Sequence, residues 1–346
     1  MILHQELLER FRAGKVPALA RAISIVEDER EGFQDLLHAV LQREPSTCRI
    51  GFTGPPGAGK STLVAAAATQ YRAQEEHIGI VAVDPTSPYS GGALLGDRIR
   101  MNDLTLDPGI FIRSMATRGS LGGLATTTKE VVDLMDAFGF DRVLAETVGV
   151  GQTELEITAA ADTVIVVLVP ESGDAIQAMK AGLMEIADIF VVNKADRPGS
   201  DRVVKDLRQA LHLRAGGVGK NMPAHHGVDL SRLVRQERSQ DAPSSEGAGW
   251  EIPVLSTVAQ NGTGVEELLT SIEAHREWLA SSGALHVRRR ARARGRVEDV
   301  VDRELRRVAR RSGVMGANLD PHLDLIQAGE GTPYSVAREI LKGLLR

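Results

Sequence analysis

Cysteine is almost missing from this chain: Cys48 is the only one in 346 residues. An internal disulfide is therefore excluded, and so is a metal centre built on paired thiolates. Cys48 stands just before an apolar run, where a buried, inert thiol is expected. Aromatic residues make up 3% of the sequence, too few to build stacking platforms for single-stranded nucleic acid. No apolar run approaches the roughly 18 residues that a membrane-crossing helix needs. The amino terminus, with Glu6 and Glu9, has neither the apolar core of a secretory signal nor the acid-poor character of a transit peptide. A net charge of −5 gives no overall basic field to attract polyanions. The expectation is a cytoplasmic protein in a reducing compartment, and 42% hydrophobic with 25% charged residues suits a packed α/β core.

Against these absences one segment is dense with chemistry. Gly54-Pro55-Pro56-Gly57-Ala58-Gly59-Lys60-Ser61, followed by Thr62, fits G-x-x-x-x-G-K-[ST] at every fixed position. It follows the apolar run 48–53 and opens a helix-like run over 61–71. Glycines let successive backbone N–H groups curl around phosphates, Lys60 supplies a point charge to the β and γ oxygens, and the Ser61 hydroxyl can ligate Mg²⁺. The helix that begins there adds its positive dipole end.

A second motif selects the base. The apolar run 189–192 delivers Asn193-Lys194-Ala195-Asp196, the N-K-x-D pattern of guanine recognition. A carboxylate only accepts hydrogen bonds. Guanine offers two donors at the relevant edge, whereas adenine would leave Asp196 desolvated and unpaired at a cost of about 1–3 kcal/mol or more. GTP is therefore expected over ATP. Ser256, Thr257 and Val258 lie where GTPases place a second guanine loop, although the usual serine-alanine pair is absent.

Between the motifs lie residues positioned to sense a γ-phosphate. The run 78–83 ends in Asp84, and a glycine-rich polar loop over 91–100 contains Asp97; the run 141–145 ends in Glu146 and leads on to Gln152. Ligands of parallel α/β sheets sit at the carboxyl ends of strands, so Asp84 and Glu146 arrive beside Ser61. Carboxylates there are repelled by phosphate unless a cation intervenes, and Mg²⁺ is the usual intermediary. The plainer alternative for each is a carboxylate that caps its own loop. Lys60 and Mg²⁺ would neutralise most of the charge in phosphoryl transfer, with Gln152 a candidate to orient water.

Together, GFTGPPGAGKST at 51–62, VDPTSP at 83–88, GGALLGDRIRM at 91–101, RGSLGGLA at 118–125, ETVGVGQTE at 146–154 and NKAD at 193–196 resemble one family, the MeaB/ArgK/MMAA-type P-loop GTPases. These are chaperones of adenosylcobalamin-dependent acyl-CoA mutases. The resemblance implies that Asp84, Asp97 and Glu146 serve the Mg²⁺ and γ-phosphate region, Asp97 in switch I and Glu146 opening switch II. It implies a switch III over 171–182, in which Asp174 and Lys180 carry nucleotide state to the mutase. It also implies slow GTP hydrolysis, stimulated by the partner, that gates cofactor loading. On the residues alone, 171–174 reads equally as a strand-to-helix loop.

The implied fold class is α/β, a P-loop NTPase with a mainly parallel sheet covered by helices on both faces and helical extensions at both ends. Strands are expected at 49–53, 78–83, 141–145, 163–169, 189–193 and 252–256. Residues 1–45 read as an amino-terminal helical arm, 46–283 as the G domain with a loop insertion over about 214–250, and 284–346 as a carboxyl-terminal helical arm. His225 and His226 fall in the insertion and lack a third ligand. In relatives the carboxyl-terminal arm builds a homodimer, which is the expectation here. The basic run 288–296 reads as a solvated face or a surface for an acidic partner. Asp320-Pro321-His322-Leu323-Asp324-Leu325 begins like the D-x-H-x-x-G motif of cobalamin-binding domains but has Leu where Gly is required, so the mutase rather than this chain is expected to hold adenosylcobalamin. Two rival functions share the phosphate loop. A urease- or hydrogenase-type metallocentre-assembly GTPase needs soft or imidazole ligands that are scarce here, and a P-loop kinase would not need the guanine motif.

Overall fold

The computed structural model describes residues 4–84, 101, 104–116, 126–147, 157–170, 182–215, 249–311 and 319–344. Three helices open the chain: α1 (Gln5–Arg12), α2 (Val16–Glu27) and α3 (Phe33–Leu41). Strands and helices then alternate through β1 (Cys48–Thr53), α4 (Lys60–Ala73), β2 (Ile78–Asp84), β3 (Ile110–Ala116), α5 (Thr126–Phe138), β4 (Arg142–Thr147), β5 (Thr163–Leu168), the single turn α6 (Leu183–Ile186), β6 (Ile189–Asn193), α7 (Ser200–Ala215), β7 (Val254–Thr257) and α8 (Val265–Ser281). Helices α9 (Ala284–Arg311), α10 (Asp320–Gln327) and α11 (Pro333–Leu344) complete the described chain.

The seven strands form one all-parallel sheet in the order β3-β2-β4-β1-β5-β6-β7. Strands β1, β4, β5 and β6 are buried at every position, as a parallel sheet covered on both faces requires, and their Val- and Ile-rich runs follow from that. Six of the seven strands match the expected ones. The seventh, β3, was not anticipated. It is an edge strand whose Arg113 and Ser114 are only half-buried, so its apolar signal is interrupted.

Two cores flank the sheet. On one face α4 and α8 cover Ile50, Phe52, Ile80 and Ile165. On the other, α5, α6 and α7 cover Val81, Val143, Val166 and Phe190. The amino-terminal helices join this second core by stacking on α5. Leu19, Ile23 and Val26 of α2 are fully buried, and Phe11 meets Phe138 edge to face at a centroid distance of 5.2 Å. Arg49 is buried with Asp136 (2.7 Å) and Asp133 (2.8 Å); Asp136 also accepts from the backbone N–H groups of Ser46 and Thr47, pinning the segment that enters β1.

Residues 1–290 form one compact unit and 291–346 a second. Within α9, Val297, Val301, Leu305 and Val308 are all exposed, and their spacing puts them on one helical face. Asp320 to Leu325 lie in α10. Among the described residues no helix is long and apolar enough to cross a membrane.

Candidate nucleotide site

The phosphate loop leaves the carboxyl end of β1 and turns directly into α4, whose first residue is Lys60. Two glycines are required by their surroundings. Gly54 has φ +134°, and a Cβ there would lie 2.1 Å from the Val167 carbonyl oxygen of the neighbouring strand; Gly59 has φ +84°, and a Cβ would lie 2.4 Å from Asn193 Nδ2. A side chain at Gly54 would force backbone apart, and one at Gly59 would displace the Asn193 amide. Lys60 Nζ donates to the carbonyls of Gly54 (2.8 Å) and Pro55 (2.9 Å), which holds a buried ammonium over the loop. Gly57 is also in the left-handed region, Ala58 is buried, and Pro55 and Pro56 stand at the rim with Thr62 half-buried beyond them.

Ser61 and Glu146 come together. Glu146 sits at the carboxyl end of β4, in register with Phe52 of β1 and Ala82 of β2. The Ser61 hydroxyl donates to Glu146 Oε1 at 2.6 Å, and both residues are buried. Thr147 Oγ1 donates to Thr53 Oγ1 beside them at 3.1 Å. Asp84 ends β2, one position beyond the residue paired with Thr147, so its backbone arrives at the same edge; its side chain lies outside the described residues. Hydroxyl and carboxylate oxygens are the donor set that Mg²⁺ takes, and Ser61 with Glu146 fits that chemistry. Asp97, Gln152, Asp174 and Lys180 lie outside the described residues, as do His225 and His226.

The guanine motif is tied to the phosphate loop through one side chain. Asn193, 2% exposed at the end of β6, donates from Nδ2 to the Ala58 carbonyl at 2.8 Å. Its Oδ1 accepts from Thr257 Oγ1 at 3.1 Å and from the Ala259 backbone N–H at 3.0 Å. Lys194 then adopts φ +55°, a left-handed conformation that costs about 1–3 kcal/mol outside glycine and is typically held by its surroundings. The Ala195 N–H donates to the Thr257 carbonyl (3.0 Å) and its carbonyl accepts from Ser200 Oγ (3.0 Å), so the turn presents Asp196 outward, exposed. In the second loop, Thr257 and Ala259 meet Asn193, while Ser256 is exposed and the Val258 N–H donates to the Thr263 carbonyl. Sequence reasoning carries the second guanine loop through Ala259 but does not foresee its bond to Asn193, which the pairing of β7 with β6 brings about.

Cys48 is buried at the opposite end of β1. Burial pushes its thiol up to about 11, although the nearby Arg142 guanidinium pulls the other way, so it remains a neutral thiol at ordinary pH.

Comparison with known proteins agrees with this geometry. The family described as methylmalonyl-CoA mutase-associated GTPase MeaB matches residues 19–313. A protein of the archaeon Pyrococcus abyssi is 41% identical over 340 residues, covering 98% of this chain and 96% of its own. The mouse mitochondrial protein named methylmalonic aciduria type A homolog is 35% identical over 304 residues, covering 82% of this chain and 67% of its own. The fold is shared with the crystal structure of an LAO/AO transport system kinase, at a TM-score of 0.63 and 24% identity, covering 99% of this chain and 97% of that one. With a phosphate loop, a guanine motif bound to it, and a family match across most of its length, this chain belongs to the methylmalonyl-CoA mutase-associated P-loop GTPases of the MeaB type.

Proposed function

We propose that this protein binds and hydrolyses GTP as a chaperone of an adenosylcobalamin-dependent acyl-CoA mutase, gating cofactor loading and protecting or reactivating the mutase. The observation that carries the nucleotide half is the Asn193 tie: one buried amide joins the phosphate loop to the guanine motif, so both ends of the nucleotide meet a single preorganised frame. The partner half rests on the family match.

Each residue has a defined task. Backbone N–H groups from Gly57 to Ser61, with the amino terminus of α4, face the phosphates. The Lys60 ammonium exchanges its two carbonyl acceptors for β and γ oxygens, a trade of neutral for charged partners that favours the bound state. Asp196 accepts from the two guanine donors, and the loop of Ser256, Thr257 and Val258 closes over the base. Mg²⁺ would be held by Ser61 and the carboxylates of Asp84, Asp97 and Glu146, and supplies neutralisation of phosphate charge. Glu146 and Gln152 orient the water-side chemistry, while Asp174 and Lys180 carry nucleotide state to the mutase. Turnover alone is slow, and the partner raises it by completing the charge stabilisation that Lys60 and Mg²⁺ begin; such completion raises rates by about 10³–10⁵ in other GTPases. Adenosylcobalamin is held by the mutase. The exposed stripe of Val297, Val301, Leu305 and Val308 pairs with a second copy to form a homodimer.

The test is phosphate release measured with GTP and with ATP, alone and with a purified cobalamin-dependent mutase. GTP-selective release that the mutase stimulates is expected. ATP preference would overturn the nucleotide reading, and GTP turnover indifferent to any such mutase would overturn the partner.

A further inference from the structure

The basic run at the start of α9 is not simply a solvated face. Arg288 grips Asp188, the residue before β6, with two parallel bonds of 2.7 and 2.8 Å, and donates to the Asp162 carbonyl at 2.7 Å. Arg289 reaches Asp162, the residue before β5, at 3.1 Å and also donates to the carbonyls of Pro45 and Thr47, just ahead of β1. Asp162 and Asp188 are each 3% exposed. Asp188 is further fixed by the Val164 N–H at 2.9 Å. Burial alone would raise the Asp188 carboxyl, but the bonds and charge of Arg288 outweigh it and hold the carboxyl below its usual range.

Such a seat is a costly way to hold a helix. Burying each ion costs several kcal/mol before pairing, and apolar packing of similar volume is often at least as stable. What paired, bidentate charges add is sensitivity to direction. The strands they grip are informative: β1 runs from this clamp to the phosphate loop, and β6 runs from it to Asn193 and the guanine motif. Strand β6 is five residues long, about 16 Å of stiff, fully buried backbone.

We infer that Arg288 and Arg289 form a read-out of nucleotide state: displacement of β1 and β6 when GTP replaces GDP is transmitted through Thr47, Asp162 and Asp188 to the first turns of α9. This rests on the GTP reading above and goes beyond it by naming the element that receives the signal. Coupling of this kind is reciprocal, so the clamp must in turn bias the protein between GTP and GDP.

The chain carries its own reporter. Both of its tryptophans lie on the buried His275, Trp250 at 4.7 Å and Trp278 at 5.7 Å between ring centroids, and Trp250 Nε1 donates to the Asp188 carbonyl at 2.8 Å. The experiment measures tryptophan emission and calorimetric affinities of the full chain for GDP and for a non-hydrolysable GTP analogue in magnesium buffer. Wild type should give different emission with the two nucleotides. In Arg288→Ala that difference should vanish and the ratio of the two affinities should shift by about fivefold or more, the lower end of typical couplings. Arg289→Ala, which leaves the Asp188 pair intact, is measured alongside and should shift the ratio in the same direction, so a folding failure of the first variant does not decide the matter. Wild-type emission that is the same with both nucleotides, or an unchanged affinity ratio in the folded variants, would overturn the read-out while leaving GTP binding standing. Absence of GTP-analogue binding to wild type would instead remove the underlying GTP reading.

Discussion

Replacing Asn193 with alanine removes a side chain that fastens the guanine motif to the phosphate loop. Three hydrogen bonds are lost, and three buried partners are left behind: the Ala58 carbonyl, the Thr257 hydroxyl and the Ala259 N–H. Each orphaned group costs about 1–3 kcal/mol if water cannot reach it. Taking the low end for each, because the loop can relax toward solvent, gives a loss of about 3 kcal/mol. For a chain of 346 residues that corresponds to a fall of about 4 °C in Tm. Asn193→Asp retains the two acceptor roles but sets a buried carboxylate oxygen against the Ala58 carbonyl, so it should cost at least as much stability as alanine and also weaken GTP binding. The assay is thermal unfolding followed by circular dichroism, paired with calorimetric titration of GTP in magnesium buffer. An alanine variant that melts within a degree of wild type and binds GTP equally well would show that the tie carries no load, and the argument for one preorganised frame would fail.

Further outcomes are expected. Asp196→Asn should weaken GTP and favour xanthosine triphosphate, since an amide can donate to the extra carbonyl of xanthine; unchanged selectivity in competition binding would remove the base-recognition argument. Gly54→Ala should abolish nucleotide binding and cost several kcal/mol, because its Cβ would meet the Val167 carbonyl oxygen at 2.1 Å in a conformation that alanine rarely adopts; a variant with native melting would refute this. The Cys48 thiol is raised from 9.0 to about 11 in the fold. Its contribution to stability is therefore fully present below about pH 9 and lost as pH rises toward 11, worth about 3 kcal/mol over that window. Urea unfolding from pH 8 to 11 should show that loss in wild type and a flatter profile in Cys48→Ala. Leu305→Glu should convert a dimer to a monomer in light scattering with no change in GTP affinity, if the α9 stripe is the contact between copies.

The chemistry in this chain was legible wherever it is contiguous. The phosphate loop and N-K-x-D are local strings, and each sits at a strand end because parallel strands deliver their loops to one edge. What depends on pairing across distance was not. Strand β3 hid because an edge position tolerates Arg113 and Ser114 within an apolar run. Of the two partners of Asn193 in the second guanine loop, Thr257 was singled out from the sequence, whereas the bond from the Ala259 N–H follows only from the β6–β7 register. The arginines that open α9 read as surface charge because their aspartates lie before β5 and β6, far back in the sequence. Helical periodicity announced α1 to α3, but nothing in it said that α5 is what they stack upon.

That last arrangement has a consequence for how the chain is made. Helices α1 to α3 leave the ribosome before α5, yet the surface that completes the burial of Leu19, Ile23 and Val26 is finished only after α5 has been synthesised. During translation those residues stay only partly covered, and domains generally fold as units once their parts are available. Helices α1 to α3 must therefore wait for the middle of the chain before their apolar faces are fully covered.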